Sequence, residues 1–308
     1  MQQLVIIGAG FAGMYAALSA ARLRDASGAS SRNLKIALVS PEPTLVVRPR
    51  LYEPRPETLT APLGGVLKAI DVDYVRGRVE TIDSKTRSIE VIGAGDDRQV
   101  VTYDRLVLAC GSRLFRPPIP GLAEYGFSVD QLDEAIKLDR HLHGLAGRPA
   151  SKARNTVVVA GGGFTGIETA AELPHRLRAA LGDNADVRVV IVERGNAIGP
   201  DLGPGPRPVI ERALSELGVE TRLCSPIVAI DQNGVTLASG ERIDAATVIW
   251  TAGARANPIT SQIDADKDSF GRLHVDRNLK VIGHANVFAT GDVACAATDE
   301  IGNRTMMS

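Results

Sequence analysis

Leu4-Val5-Ile6-Ile7-Gly8-Ala9-Gly10-Phe11-Ala12-Gly13 opens the chain, and Thr156-Val157-Val158-Val159-Ala160-Gly161-Gly162-Gly163-Phe164-Thr165-Gly166 repeats the same pattern near its middle. In each, a short β-branched apolar run reads as a buried parallel strand. It breaks at a glycine, and an alanine-rich helical pattern follows. The first glycine of such a turn permits the tight bend, the second lets the backbone approach a pyrophosphate, and the third lets the helix pack close to the strand. The helix N-terminus then meets the phosphates with free N–H groups and the positive end of its dipole. The spacing therefore predicts two dinucleotide sites, one at Gly8, Gly10, Phe11, Ala12 and Gly13, the other at Gly161, Gly163, Phe164, Thr165 and Gly166. The alternative is a pair of glycine-rich turns that bind nothing.

The strand that follows each turn separates the two sites. Val187 to Val192 is apolar and stops at Glu193. A carboxylate there accepts hydrogen bonds from ribose hydroxyls and repels a 2′-phosphate, which favours NADH over NADPH. Arg194 comes next and pulls the other way, since an arginine is what a 2′-phosphate needs. Lys35 to Val39 instead ends at Ser40, with no acid at that point. Glu42 lies two residues further on, between Pro41 and Pro43, and either curls back to a ribose or is a solvated loop charge.

Composition sets limits on function. The 308 residues suffice for about two domains with full cores. A net charge of −1 gives no long-range field for nucleic acid or anionic lipid. Three cysteines, Cys110, Cys224 and Cys295, are too few and too scattered for a disulfide framework or a zinc knuckle, and a reducing, cytoplasmic compartment is the simpler reading. The five histidines are scattered too, and no metal site is expected. Residues 1 to 21 carry no charged side chain, and Leu4 to Leu23 is long enough to span a bilayer. Glycines interrupt it and no basic segment precedes it, so strand, turn and helix fit better than a signal peptide or membrane helix.

The rest of the chain falls into two similar halves. Val75 to Thr81, Ser88 to Ile92 and Val100 to Tyr103 in the first, and Val228 to Asp231, Gly234 to Leu237 and Glu241 to Ile243 in the second, read as antiparallel strands. Each set leads to a last parallel strand: Leu106 to Ala109, running into Cys110-Gly111-Ser112, and Thr247 to Trp250, running into Thr251-Ala252-Gly253. Small residues at such a strand end mark where a ligand or another backbone comes close. Asp25 to Asn33 and Gly144 to Asn155 read as surface loops, the second as an interdomain linker. The expected fold is α/β, with two Rossmann-like dinucleotide-binding domains, each combining a parallel sheet with a small antiparallel β-meander. Residues 1–115 plus 256–308 form one domain, and 116–255 the other.

Together with the two glycine turns, Tyr103 to Ser112, Thr251-Ala252-Gly253 and Asn286-Val287-Phe288-Ala289-Thr290-Gly291-Asp292-Val293-Ala294 resemble the pyridine nucleotide-disulfide oxidoreductase superfamily of flavoproteins. The resemblance runs the full length, with these motifs in order. It implies that the first turn holds FAD pyrophosphate, that Gly291 and Asp292 return to the ribityl or phosphate region, and that the second turn holds NAD(P)H. Within the superfamily, Arg48-Pro49-Arg50-Leu51-Tyr52-Glu53, Gly161 to Leu173, and Trp250-Thr251-Ala252-Gly253 followed by Arg255-Ala256-Asn257-Pro258 are similar to type II NADH dehydrogenases. That likeness adds Arg48, Cys110, Gly111, Ala252 and Gly253 to the expected cofactor contacts. It also implies that Glu168 positions the nicotinamide; the plainer reading is an ordinary helix glutamate.

The disulfide-reductase branch carries a redox-active cysteine pair beside the flavin, and no such pair exists here. Cys110 and Cys295 adjoin flavin motifs, so either faces the flavin or simply packs. The resemblance implies hydride transfer from NADH to FAD and onward delivery of electrons to an acceptor, a quinone in the first instance. No catalytic acid or base is required for the hydride step, and none is assigned. A ferredoxin-like protein or small oxidant as acceptor, and a non-catalytic FAD/NAD-binding sensor, stay open as alternatives. In the family, the segment like Gly302 to Ser308 leads into a C-terminal region with dimer contacts, the quinone site and peripheral membrane helices. The sequence stops at Ser308, so homodimerisation, attachment to the cytoplasmic membrane face and quinone reduction are expectations about a region beyond it.

Overall fold

Parallel strands that are apolar throughout must be covered on both faces, and that requirement organises each half of the molecule. The computed structural model describes residues 1–203 and 205–297. These residues divide into two compact units, one made of Met1–Val46, Thr60–Arg113 and residues 254–297, the other of Val47–Leu59 and Leu114–Gly253.

In the first unit, five parallel strands lie in the spatial order Val287–Ala289, Arg105–Leu108, Gln2–Ile7, Leu34–Ser40, Asp73–Arg76. Side chains alternate across the sheet because successive Cβ atoms point to opposite faces. Ile6, Ile36 and Leu38 meet Ala17 and Ala21 of the helix Phe11–Ala26, where small residues let helix and sheet approach. Val5, Ile7, Leu106 and Leu108 meet Ile82, Ile89 and Val91 of an antiparallel sheet built from Arg78–Asp83, Ser88–Ile92 and Arg98–Thr102. The second unit repeats the plan. Its parallel order is Gly126–Phe127, Thr247–Trp250, Thr156–Ala160, Arg188–Val192, Val219–Arg222. Val157 and Val159 face Leu138 and Leu142 of the helix Leu132–Gly144 and Leu173 and Leu177 of Phe164–Leu181. Val158 and Ala160 face Val235, Leu237 and Ile243 of the antiparallel sheet Ile227–Asp231, Gly234–Leu237, Arg242–Asp244.

The strand that is central in each sheet is the one that ends in the glycine turn. Gln2 pairs with Leu34 and Ile7 with Val39, so Gly8 and Ser40 leave the sheet side by side, and Ala160 opposite Val192 does the same for Gly161 and Glu193. Both turns thus stand at the C-terminal edge of a parallel sheet, where ligands of open α/β folds bind.

Three local expectations are corrected. Val75 to Thr81 is not one antiparallel strand: Asp73–Arg76 completes the parallel sheet, and Arg78–Asp83 starts the antiparallel one. Gly77 divides them, at φ +155°, where a Cβ would sit 2.5 Å from Val91 Cγ1. Residues 144–155 are no linker between units but lie inside the second, with Leu145 wholly buried. Residues 47–59, expected in the first domain, group with the second unit. The reason is a set of contacts invisible to local pattern: Arg176 donates to the Tyr52 carbonyl at 2.6 Å while pairing with Asp139, and Arg48 pairs with Asp130. Residues 4–23 fold as strand, turn and helix, and among the described residues no helix is long and apolar enough to cross a membrane.

Two stability effects follow. Arg176 and Asp139 have side chains only 6% and 12% exposed. Arg176→Met should therefore destabilise the protein by about 3 kcal/mol, read by urea unfolding, because it strands a buried carboxylate. An unchanged midpoint would remove the pair from the core's support. The His141 ring packs 4.2 Å from Phe127 and its Nε2 lies 2.8 Å from Thr247 Oγ1. Burial pushes its imidazolium down to about 4. The unfolded chain takes up that proton near the ordinary value of about 6.5, so the contribution is present above that pH and lost as pH falls toward 4, by at most ~1.4 kcal/mol per pH unit. His141→Gln should flatten the pH dependence of unfolding free energy in that window.

Candidate functional site

The first turn is closed by two glycines and opened by one. A Cβ at Gly8 would lie 2.3 Å from the Ala109 carbonyl oxygen, and one at Gly13 would lie 1.8 Å from the Gly8 carbonyl oxygen. At Gly10 the backbone is extended, and a Cβ would meet nothing within 4 Å. The space in front of Gly10 is where a phosphate oxygen can approach the main chain. The helix behind it begins at Phe11 without a side-chain cap or an acidic residue in its first turn, so its leading N–H groups and dipole face outward unneutralised. Phe11 is exposed and Ala12 half-buried beside that opening.

The distant motif arrives at the same place. Thr290 donates its N–H to the Leu108 carbonyl at 2.9 Å, and Gly291 turns the chain at φ +69° so tightly that a Cβ there would sit 2.9 Å from Ala12 Cβ. Asp292 follows, and Ser112 Oγ donates to its Oδ2 at 2.7 Å. Asn257 donates its backbone N–H to the Gly111 carbonyl at 2.9 Å and its amide to the Cys110 carbonyl at 3.3 Å, fixing that strand end. The first unit thus gathers Gly8 to Gly13, Cys110, Gly111, Gly291 and Asp292. Glu42 stands beside Ser40, whose hydroxyl donates to the Glu42 carbonyl at 2.6 Å; its exposed carboxylate is held by Arg76 at 2.5 Å. Arg48 belongs to the second unit, where it donates from Nε to the Asp130 carbonyl at 3.1 Å and pairs with its carboxylate.

The cysteines do not form a redox pair; all three are free. Desolvation pushes the Cys110 thiol up to about 12, which withholds the reactive thiolate at neutral pH. Cys295 is buried in a short strand paired with Leu273–His274, and Cys224 is exposed in the second unit.

The second turn has the same geometry. A Cβ at Gly166 would lie 1.9 Å from the Gly161 carbonyl oxygen, whereas Gly163 again faces open space. The helix Phe164–Leu181 starts uncapped and without an acid in its first turn, with Phe164 exposed and Thr165 half-buried. Thr251 Oγ1 donates to the Ala160 carbonyl at 3.0 Å, and a Cβ at Gly161 would stand 3.0 Å from the methyl of Ala252. Gly253 accepts from the Phe115 N–H at 2.6 Å. Glu193 is only 8% exposed: Oε2 accepts the Gly162 N–H at 2.7 Å and Oε1 the Gly195 N–H at 2.6 Å. It clamps the backbone of the turn itself, and each oxygen keeps a second lone pair for a ribose hydroxyl. Arg194 points to solvent. Glu168 stands at the helix surface, yet desolvation by its surroundings holds its carboxyl above the ordinary carboxylate range. The Tyr52 phenol is raised chiefly by burial and next by the Glu168 charge, which places the two side chains near one another.

Ser112, Thr251 and Tyr52 lie inside motifs quoted from the sequence but were not named there as site residues. Thr251 directly follows the strand Thr247–Trp250 of the second unit, and Ser112 lies four residues past the strand Arg105–Leu108 of the first. Among the described residues no group of His, Cys, Asp and Glu can hold a metal ion.

The family model described as pyridine nucleotide-disulphide oxidoreductase matches residues 2–308. The chain belongs to this family. It is an oxidoreductase that works with FAD and a pyridine nucleotide, and two uncapped helix starts behind open glycines fit two such dinucleotides. An NADH dehydrogenase-like protein of Mycobacterium tuberculosis (strain H37Rv) is 46% identical over 302 residues, spanning 97% of this chain and 74% of its own length. A demethylphylloquinone reductase of Synechocystis is 30% identical over 303 residues, spanning 95% and 72%. Among solved structures, NDH2 from Plasmodium falciparum in complex with NADH shares the fold with a TM-score of 0.80 at 19% identity, matching 96% of this chain and 64% of that one.

The unequal roles of the glycines are testable. Gly10→Ala should leave the melting temperature of the FAD-free protein unchanged and lose FAD from the purified protein, since its methyl occupies the opening. Gly13→Ala should fail to accumulate as folded protein, since its methyl meets the Gly8 carbonyl. A Gly10→Ala protein that retains FAD at wild-type stoichiometry would show that the opening is not the phosphate site.

Proposed function

We propose that the protein is an NADH-dependent flavoprotein reductase that delivers electrons to a quinone, with FAD in the first unit and NADH in the second. The observation that carries this reading is that the two glycine turns share one geometry but differ in the acid beside them. The first has Ser40 at its strand end and receives Asp292 from 180 residues beyond Ser112; the second has the buried Glu193 at its strand end. FAD, when bound, accepts a hydride from the nicotinamide and passes electrons on.

The remaining work belongs to the chain. Gly10 and the Phe11–Ala26 helix receive one pyrophosphate, and Gly163 and the Phe164–Leu181 helix the other, through backbone N–H groups and the dipole. Asp292 accepts from hydroxyls of the ribityl chain. Glu193, already oriented by the Gly162 and Gly195 amides, accepts from the adenosine ribose and opposes a 2′-phosphate. Glu168, Phe164 and Thr165 at the head of the second helix orient the nicotinamide half. The names of the Mycobacterium and Synechocystis relatives support both the reductant and a quinone acceptor.

The purified protein, loaded with FAD and kept without oxygen, should bleach on addition of NADH and recover its yellow colour on addition of a soluble naphthoquinone. A protein that cannot be loaded with FAD sinks the reading, and bleaching without recovery sinks the quinone. Glu193→Ala should reduce the preference for NADH over NADPH, measured as the ratio of kcat/KM, by about tenfold or more, as expected for loss of a charged hydrogen-bond acceptor. KM should rise for both nucleotides because the turn loses its clamp, so an unchanged ratio would confine Glu193 to that structural task.

A further inference from the structure

We infer that Ser112 is a positioning residue of the FAD site, orienting the Asp292 carboxylate that grips the ribityl chain. The inference rests on FAD occupying the first unit.

Ser112 follows Gly111 at the open end of the Arg105–Leu108 strand and is only 4% exposed. A hydroxyl in such a place is costly unless bonded, and alanine would fill the same volume without that cost. Its Oγ donates to Asp292 Oδ2 at 2.7 Å. The carboxylate torsion of an aspartate is broad, so the side chain alone does not choose the plane of its oxygens. A charge-assisted donor does choose it. The backbone is fixed independently: Gly291 packs on Ala12, and Thr290 is tied to the Leu108 carbonyl. Asp292 is therefore held at both ends, its main chain against the first glycine turn and its carboxylate against Ser112. Binding a flexible polyol to a preset acceptor avoids ordering that acceptor during binding.

The test uses the full chain with FAD as the probe, measuring its dissociation constant by flavin fluorescence and the melting temperature of the FAD-free protein. Ser112→Ala should raise the dissociation constant about tenfold, as expected for losing one hydrogen bond to a charged group. Ser112→Thr, which keeps the hydroxyl, should stay near wild type, and Ser112→Cys, which keeps the volume but donates weakly, should behave like Ser112→Ala. In an Asp292→Ala background, Ser112→Ala should cause no further loss. A Cys variant that binds like wild type, or a Ser112→Ala effect that persists without Asp292, would overturn the inference in favour of packing. Weak FAD binding in Asp292→Ala with wild-type binding in Ser112→Ala would overturn it while leaving the FAD reading intact. Wild-type binding in Asp292→Ala would remove that residue from the site and overturn the inference, while FAD binding itself would stand. The folded fraction by melting keeps these outcomes distinct from failure to fold.

Discussion

The contact on which both units depend is the approach of a helix's first turn to the carbonyl that closes the preceding strand: Gly13 over Gly8, and Gly166 over Gly161. No side chain fits between them. The helix starts at the end of the strand, and its first N–H groups are left without a side-chain cap. Everything that carries chemistry is then arranged around two short stretches of main chain, and the side chains tune a binding geometry that the backbone already supplies.

The tuning differs in kind between the units. In the second, the acid comes from the neighbouring strand and is locked by two amides of the turn region, so the clamp is assembled locally, within residues 161 to 195. In the first, Ser40 lets the neighbouring strand end without an acid, and the carboxylate comes instead with Val287–Ala289, the outer strand of the sheet. That arrangement ties the position of Asp292 to the pairing of this outer strand, Val287 with Leu106.

Most of this was legible in the chain before any coordinates. The apolar runs Thr156 to Ala160 and Thr247 to Trp250 coincide with the observed strands, since continuous β-branched residues have few other ways to be buried. The antiparallel segments were readable because their turns are short. What escaped was whatever depends on side chains crossing long stretches of sequence. Gly77 looked like one more residue of a strand, though it separates two sheets. Residues 47–59 carried a family motif but no periodicity to say which core they join, because Arg176 and Asp130 decide that from far away. Glu193 was readable as the acid at a strand end but not as the clamp of its own turn, since a carboxylate's partners among backbone amides leave no mark in sequence.

The placement of residues 47–59 bears on the modularity of the chain. The second unit is not one insertion between two halves of the first but two pieces, Val47–Leu59 and Leu114–Gly253. A recombination that exchanged only residues 114–253 with another member of the fold would leave Tyr52 without the core it packs against and Arg176 without the Tyr52 carbonyl. The inheritable module is therefore discontinuous, and a shuffled or grafted nucleotide unit must carry this thirteen-residue segment with it to bring its own fold.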